Sequence, residues 1–136
     1  NAPEGWRLPT DEDWKKLERA MGMSQGDADA TGFRGTEEGT LLQQDITGTG
    51  IALPFGGYAI VTGRPAALRF RHWREFGYFW TATEEKNETP FPDAYYRKIS
   101  FRSSQIERGI TRIVDSNYET NYPKHMSVRY VRDAVD

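Results

Sequence analysis

Near the start of the chain, apolar residues recur at helical spacing. Trp14, Leu17 and Met21 share one face of a 3.6-residue period, with Lys15, Lys16, Glu18 and Arg19 off that stripe. Thr10, after Pro9, is placed to cap the first turn, and Asp13 three residues on completes a capping box. Asp11, Glu12 and Asp13 set negative charge beside the unpaired N–H groups of the helix start, worth ~0.3–1 kcal/mol each when exposed. Gly22 ends this helix, and Ser24 caps a short second one to about Ala30, before Gly32.

The pattern then changes. The stretch GFRGTEEGTLLQQDITGTG is polar, and its glycines at 32, 35, 39, 48 and 50 read as turns between short extended pieces. IALPFGGYAIVTG predicts a strand, a Pro-Gly turn and a second strand; ALRFRHW and GYFWTAT are two more, rich in β-branched and aromatic residues. AYYRKISF alternates, with Tyr95, Arg97, Ile99 and Phe101 on one face. IERGITRIV sets Ile106, Ile110 and Val114 apart from Glu107, and MSVRYVRD alternates Val128, Tyr130 and Arg132 with Arg129 and Val131. Helices first and short antiparallel strands after predict an α+β fold. The segments 83 to 93 and 115 to 125 read as loops.

The 136 residues suit a single domain, 1–136, and no repeat or linker divides them. Hydrophobic content is low at 37%, so the 13% of aromatic residues must supply much of the core. A net charge of -2 gives no overall field for nucleic acid or an anionic membrane. With no cysteine, disulfides, thiolate metal sites and cysteine nucleophiles are all excluded. There is no apolar run long enough for a membrane helix. The first residue is Asn rather than Met, which predicts a processed or trimmed piece of a longer protein.

PEGWRLPTDEDWKKLE, GYFWTATE, AYYRKISF and the terminal SVRYVRD, in this order, resemble the Fibrobacter succinogenes major paralogous domain, a group of secreted or lipid-anchored bacterial modules. The resemblance spans nearly the whole chain and implies a C-type lectin-like fold whose two ends pair. It also implies that Gly5 to Pro9 are architectural, with Trp6 packed beneath the chain and Arg7 hydrogen-bonded across to the sheet. Family members often carry cysteines where this chain has Ala2 and Tyr130; if these form an end-to-end bridge there, the resemblance implies that packing and pairing take its place here. The expected buried set is Trp6, Leu8, Trp14, Leu17, Phe79, Trp80, Ile99 and Val128.

Catalytic chemistry has little to build on. The enzymes of the related fold group work through cysteines or an iron-binding histidine cluster, and this chain has only His72 and His125. Ser103 and Ser104 lack a nucleophile-elbow context. Glu84, Glu85, Asn87, Glu88 and Asp93 offer oxygen ligands, but their spacing matches no calcium motif, and a solvated acidic loop is expected. No metal or cofactor is expected.

Binding chemistry is better represented. RPAALRFRHWREF interleaves Arg64, Arg69, Arg71 and Arg74 with Phe70, Trp73 and Phe76. Strand alternation predicts Arg69, Arg71 and Trp73 on one face, where guanidinium forks take carboxylate or sulfate and an indole stacks on a ring. Arg74 extends that set. SNYETNYP repeats an Asn-Tyr pair, Asn117 and Tyr118, then Asn121 and Tyr122, a composition suited to sugars or protein epitopes. These observations predict a non-catalytic ligand-binding module for a glycan or a protein surface. The resemblance implies an extracellular or cell-envelope location, with a lipid anchor upstream as one form. The alternative is a structural or assembly module of a bacterial surface protein or adhesin; an enzyme is a distant third.

Overall fold

The helix start read from Thr10 is present in the computed structural model, which describes residues 2–44, 50–62, 65, 67–117 and 120–134, without the side chains of 62, 115–117 and 120–122. Thr10 Oγ1 accepts the Asp13 N–H at 3.0 Å, and the Asp13 carboxylate accepts the Thr10 N–H at 2.8 Å. That box opens α1 (Asp11–Ala20); Ser24 caps α2 (Gln25–Asp29) through the Asp27 N–H. After β1 (Gly32–Arg34) comes α3 (Glu38–Gln43), where the glycine-rich pattern predicted only turns and extended pieces. Gly39 explains the misreading. A Cβ there would lie 2.1 Å from the Gln105 carbonyl oxygen, so this glycine allows a helix to touch the next segment's backbone and forms no turn.

The remaining elements are β2 (Tyr58–Thr62), β3 (Ala67–Arg71), β4 (Phe76–Glu85), β5 (Asp93–Ser100), β6 (Ile106–Arg112), β7 (Val114–Asn117), β8 (Thr120–Pro123) and β9 (His125–Met126). They form a four-stranded sheet β1-β6-β5-β4, a three-stranded sheet β3-β2-β9 and a β7-β8 hairpin, all antiparallel. The fold is therefore mixed α+β. Residues 51–56 run without strand pairing, contrary to the two-strand reading of that segment. The loop expected at 115 to 125 is largely the β7-β8 hairpin, and the acidic loop is confined to residues 86–92. The terminal segment pairs only through single bridges, Ser127 to Phe79 and Val131 to Arg7. Two backbone bonds of 2.7 and 2.8 Å between Arg7 and Val131 hold the ends of the chain together.

β4 shows why the motifs lie where they do. Its pairing with β5 shifts between Trp80 and Glu84, a bulge that releases backbone groups from the ladder. The Ala82 N–H donates to the Pro9 carbonyl at 2.8 Å, and the Asp11 N–H donates to Thr83 Oγ1 at 2.8 Å. Thus the Arg-Leu-Pro-Thr lead-in docks on the Trp-Thr-Ala-Thr stretch. Behind the contact, Trp14 meets Phe79 with ring centroids 6.1 Å apart, and Ile99, Ile106, Leu42 and Leu53 complete the centre of the core.

The helix face beside Trp14 departs from the expected stripe. Glu18 is fully buried and Asp11 nearly so, because three arginines from the sheet surround them. Arg34 donates to both Glu18 oxygens at 3.0 and 2.7 Å, and Arg97, itself fully buried, reaches Glu18 at 2.9 Å and Asp11 at 2.6 Å. Arg108 meets both Asp11 oxygens at 2.8–3.1 Å. A buried carboxylate is tolerated only when paired and hydrogen-bonded, and here both conditions hold.

Of the expected core, Trp14, Phe79 and Ile99 are buried, and Leu8, Leu17 and Trp80 are half-buried. Trp6 and Val128 are instead 41% and 44% exposed. The paired ends run over the surface, and the Arg132 guanidinium covers the Trp6 ring at 4.9 Å from its centroid. Arg7 does not reach across to the sheet with its side chain; it bonds Asp13 and Asp133. Phe101 and Ile110 are also exposed, since β5 ends at Ser100 and the buried face of β6 is taken by Ile106 and Arg108.

Candidate functional site at the Trp73 turn

β2 and β3 form a ribbon whose register pairs Tyr58 with Arg71 and Thr62 with Ala67. Among the described residues β3 pairs with β2 alone, and all five of its residues are exposed. The alternation expected to place Trp73 beside Arg69 and Arg71 stops short. β3 ends at Arg71, and Trp73 lies in the turn that follows. The reason is local: His72 and Arg74 adopt φ of 58° and 68°, left-handed conformations that break strand alternation on both sides of Trp73.

Backbone bonds fix this turn. The Arg74 N–H donates to the Phe55 carbonyl at 2.9 Å, the Gly57 N–H to Phe76 at 2.8 Å, and the Glu75 and Phe76 N–H groups both to His72 at 3.0 Å. Gly57 is required, since a Cβ would lie 2.1 Å from the Arg71 carbonyl oxygen. On this base Trp73 is 62% and Phe70 66% exposed. The Arg74 guanidinium stacks at 4.3 Å from the Trp73 ring centroid, and Gly56, Phe70 and Trp73 line an open concavity of about 420 Å³. Arg71 donates a long 3.4 Å bond to the Phe70 carbonyl, and both Arg69 and Arg71 are exposed. The structure therefore brings Arg74 and Phe70 to Trp73 and sets Arg69 and Arg71 on the adjoining strand.

The second predicted cluster is only partly described. Tyr118 lies outside the described residues, as do the side chains of Asn117, Asn121 and Tyr122, while the backbone pairs Asn117 with Thr120 across the β7-β8 hairpin. In the acidic segment, Glu85 accepts from the Tyr95 hydroxyl at 2.6 Å and Asp93 accepts from the Asn87 amide at 2.9 Å. Among the described residues no group of three or more His, Asp or Glu side chains is placed to hold a metal ion.

Sequence reasoning missed one further cluster. Tyr58, Tyr78 and Tyr96 come from β2, β4 and β5 and meet with ring centroids 5.1 and 6.1 Å apart. Burial raises the Tyr78 phenol to about 12, and burial with a hydrogen bond to Glu107 raises Tyr96 still more. No local spacing signals this convergence; only the strand register produces it.

The described residues contain no helix long and apolar enough to cross a membrane. The fold is mixed α+β, with the two ends of the chain joined at Arg7 and Val131 and exposed rings on the β2-β3 ribbon. The chain belongs to the Fibrobacter succinogenes major domain family, which it matches over residues 1–132. No curated protein and no solved structure matches it significantly.

Proposed function

We propose that this chain is a non-catalytic ligand-binding module of C-type lectin-like architecture, carried by a secreted or lipid-anchored protein of the cell envelope, and that it holds an acidic glycan at the Trp73 turn. The observation that carries the reading is the exposed Trp73 between two left-handed residues. Non-glycine residues in that region cost about 1–2 kcal/mol each, and strain of this kind is retained where the fold positions a functional group. A ring held rigid before contact loses little entropy on binding. Arg74 at the ring and Arg71 on the adjoining strand provide guanidinium forks for carboxylate or sulfate groups. The architecture is supported by the helical start, the α+β order and the Arg7 to Val131 pairing.

Chromatography on immobilised heparin, with dextran as the neutral matrix, tests this. The wild type should be retained on heparin and elute with added salt, because exposed charges are screened over about 8 Å at physiological ionic strength. Arg71→Ala with Trp73→Ala should abolish retention with little change in melting temperature, since both side chains are exposed. Passage of the wild type through both columns, or unfolding of the double variant, overturns the reading.

The open edge of β3 favours a second reading, an assembly module. Leu68 and Phe70 are 52% and 66% exposed on a strand that, among the described residues, pairs on one side only, the arrangement that recruits another strand. A concentration-dependent rise in mass by light scattering, lost on Phe70→Lys, would select it over glycan binding.

A further inference from the structure

Between the joined ends of the chain and α1 lies a second concavity, of about 380 Å³. It shares no lining residue with the one at Trp73. Three separate segments build it: Trp6 and Tyr130 come from the two ends, which the Arg7 and Val131 backbone bonds hold together, Trp14 and Leu17 from α1, and Ile51 and Leu53 from the unpaired run after α3. That run is fixed. The Leu53 N–H donates to the Leu42 carbonyl at 2.8 Å, and Ala52, between two of the walls, adopts φ of 53°, a left-handed strain that folds retain where a group must be positioned. Trp14 and Leu53 are buried, Leu17, Ile51 and Tyr130 half-buried and Trp6 exposed, so a firm apolar floor opens to an accessible rim.

Three charged side chains also line the concavity, and two of them are committed. Asp13 accepts from the Arg7 guanidinium with both oxygens and from the Thr10 N–H, and Arg132 stacks on the Trp6 ring. Asp133 is likewise held by Arg7. Arg129 differs from these: it is exposed and makes no hydrogen bond, ion pair or ring contact among the described residues. The charge left uncommitted at this rim is therefore positive.

The lining specifies a ligand. Indole and phenol rings give a planar ring offset or edge-on contact over a large apolar area, and a guanidinium without a partner takes a carboxylate through two parallel N–H bonds. The volume falls at the small end of the ~300–1,000 Å³ of small-molecule sites, which join apolar walls to a few polar groups in this way. We propose that this concavity binds a small aromatic carboxylate, its ring held among Trp6, Trp14 and Tyr130 and its carboxylate on Arg129. The proposal rests neither on the Trp73 reading nor on assembly through β3.

Calorimetry with cinnamate tests it, beside cinnamamide, which keeps the ring and loses the charge, and acetate, which keeps the charge and loses the ring. Cinnamate should bind saturably at millimolar concentration, cinnamamide about fivefold more weakly, the scale of one exposed ion pair, and acetate not measurably. Arg129→Gln should bring cinnamate to the level of cinnamamide with an unchanged melting temperature, because the side chain is exposed and holds no other group. Arg71→Ala with Trp73→Ala should leave every affinity as it is. The wild type supplies a readout that needs no variant: on titration with cinnamate the indole N–H resonances of Trp6 and Trp14 should move together, while those of Trp73 and Trp80, which do not line the concavity, stay in place. Absence of saturable cinnamate binding, equal affinity for cinnamate and cinnamamide, binding unaltered by Arg129→Gln, or resonance shifts at Trp73 in place of Trp6 and Trp14 overturns the proposal.

Discussion

At Asp13 one carboxylate serves both the backbone and a side chain. It accepts the Thr10 N–H at 2.8 Å and two bonds from the Arg7 guanidinium, one of them 3.2 Å long. The Arg7 bonds lead in drawing its proton affinity down, from an ordinary 3.8 to about 2, with Thr10 adding to them. A carboxyl that binds its proton less tightly when folded stabilises the fold in its ionised form. That contribution is therefore complete above the unfolded value and lost as pH falls from about 4 to about 2. Urea midpoints of wild type and Asp13→Asn should differ by a constant amount above about pH 5 and converge near pH 2, where the wild-type carboxyl is also neutral. A gap independent of pH would mean that the pairing contributes nothing. This site was legible in the sequence because its cap partners are three residues apart. Glu18 was not: its partner Arg97 is 79 positions away, and on local spacing an isolated glutamate beside lysines belongs to a solvated face.

The elements were legible where their pattern was local and repeated. α1, α2 and β4 to β6 follow from caps and alternation, but α3 does not, since Gly39 resembles turn punctuation in a polar stretch. Its purpose is visible only beside the chain it touches, 2.1 Å from a virtual Cβ to the Gln105 oxygen. The terminal alternation misled in the opposite sense, because the partner edge it needs is β4, reached only through the Ser127 bridge. The glycines can be ranked on this basis. Gly39→Ala should destabilise by about 1–3 kcal/mol, as overpacking against a backbone oxygen does. Gly26→Ala, in α2 with nothing within 4 Å, should be neutral or stabilise by up to about 1 kcal/mol. Thermal melts of the two variants check the order, and a destabilised Gly26→Ala with an intact Gly39→Ala would show that close approach does not explain these positions. For the candidate site, the residue types at Trp73 were readable but their common face was not, since two left-handed residues redirect the chain there.

Across the whole molecule, stability and exposure are divided between the sheets. The four-stranded sheet is joined to α1 by the buried ion network, with β5 paired on both sides and Arg97 fully buried at its centre. The β2-β3 ribbon has the opposite character: β3 is exposed along its length and, among the described residues, paired on one side. Segments with few buried contacts open locally, whereas the core exchanges its amides only through global unfolding. Binding surfaces commonly belong to the first kind, and the site proposed at Trp73 lies beside such a segment. Glu18→Gln separates the two regimes. Among the described residues it leaves Arg34 without its ion-pair partner and Arg97 with Asp11 alone, and stripping one partner from a buried pair costs about 3–5 kcal/mol. At about 1.4 kcal/mol per decade, hydrogen exchange at β5 amides should accelerate by roughly two to four orders of magnitude. Amides of β3, which exchange through local opening, should keep their wild-type rates. Uniform acceleration in both segments would mean that the ribbon is as firmly held as the core, and unchanged rates at β5 would mean that the network does not join α1 to the sheet.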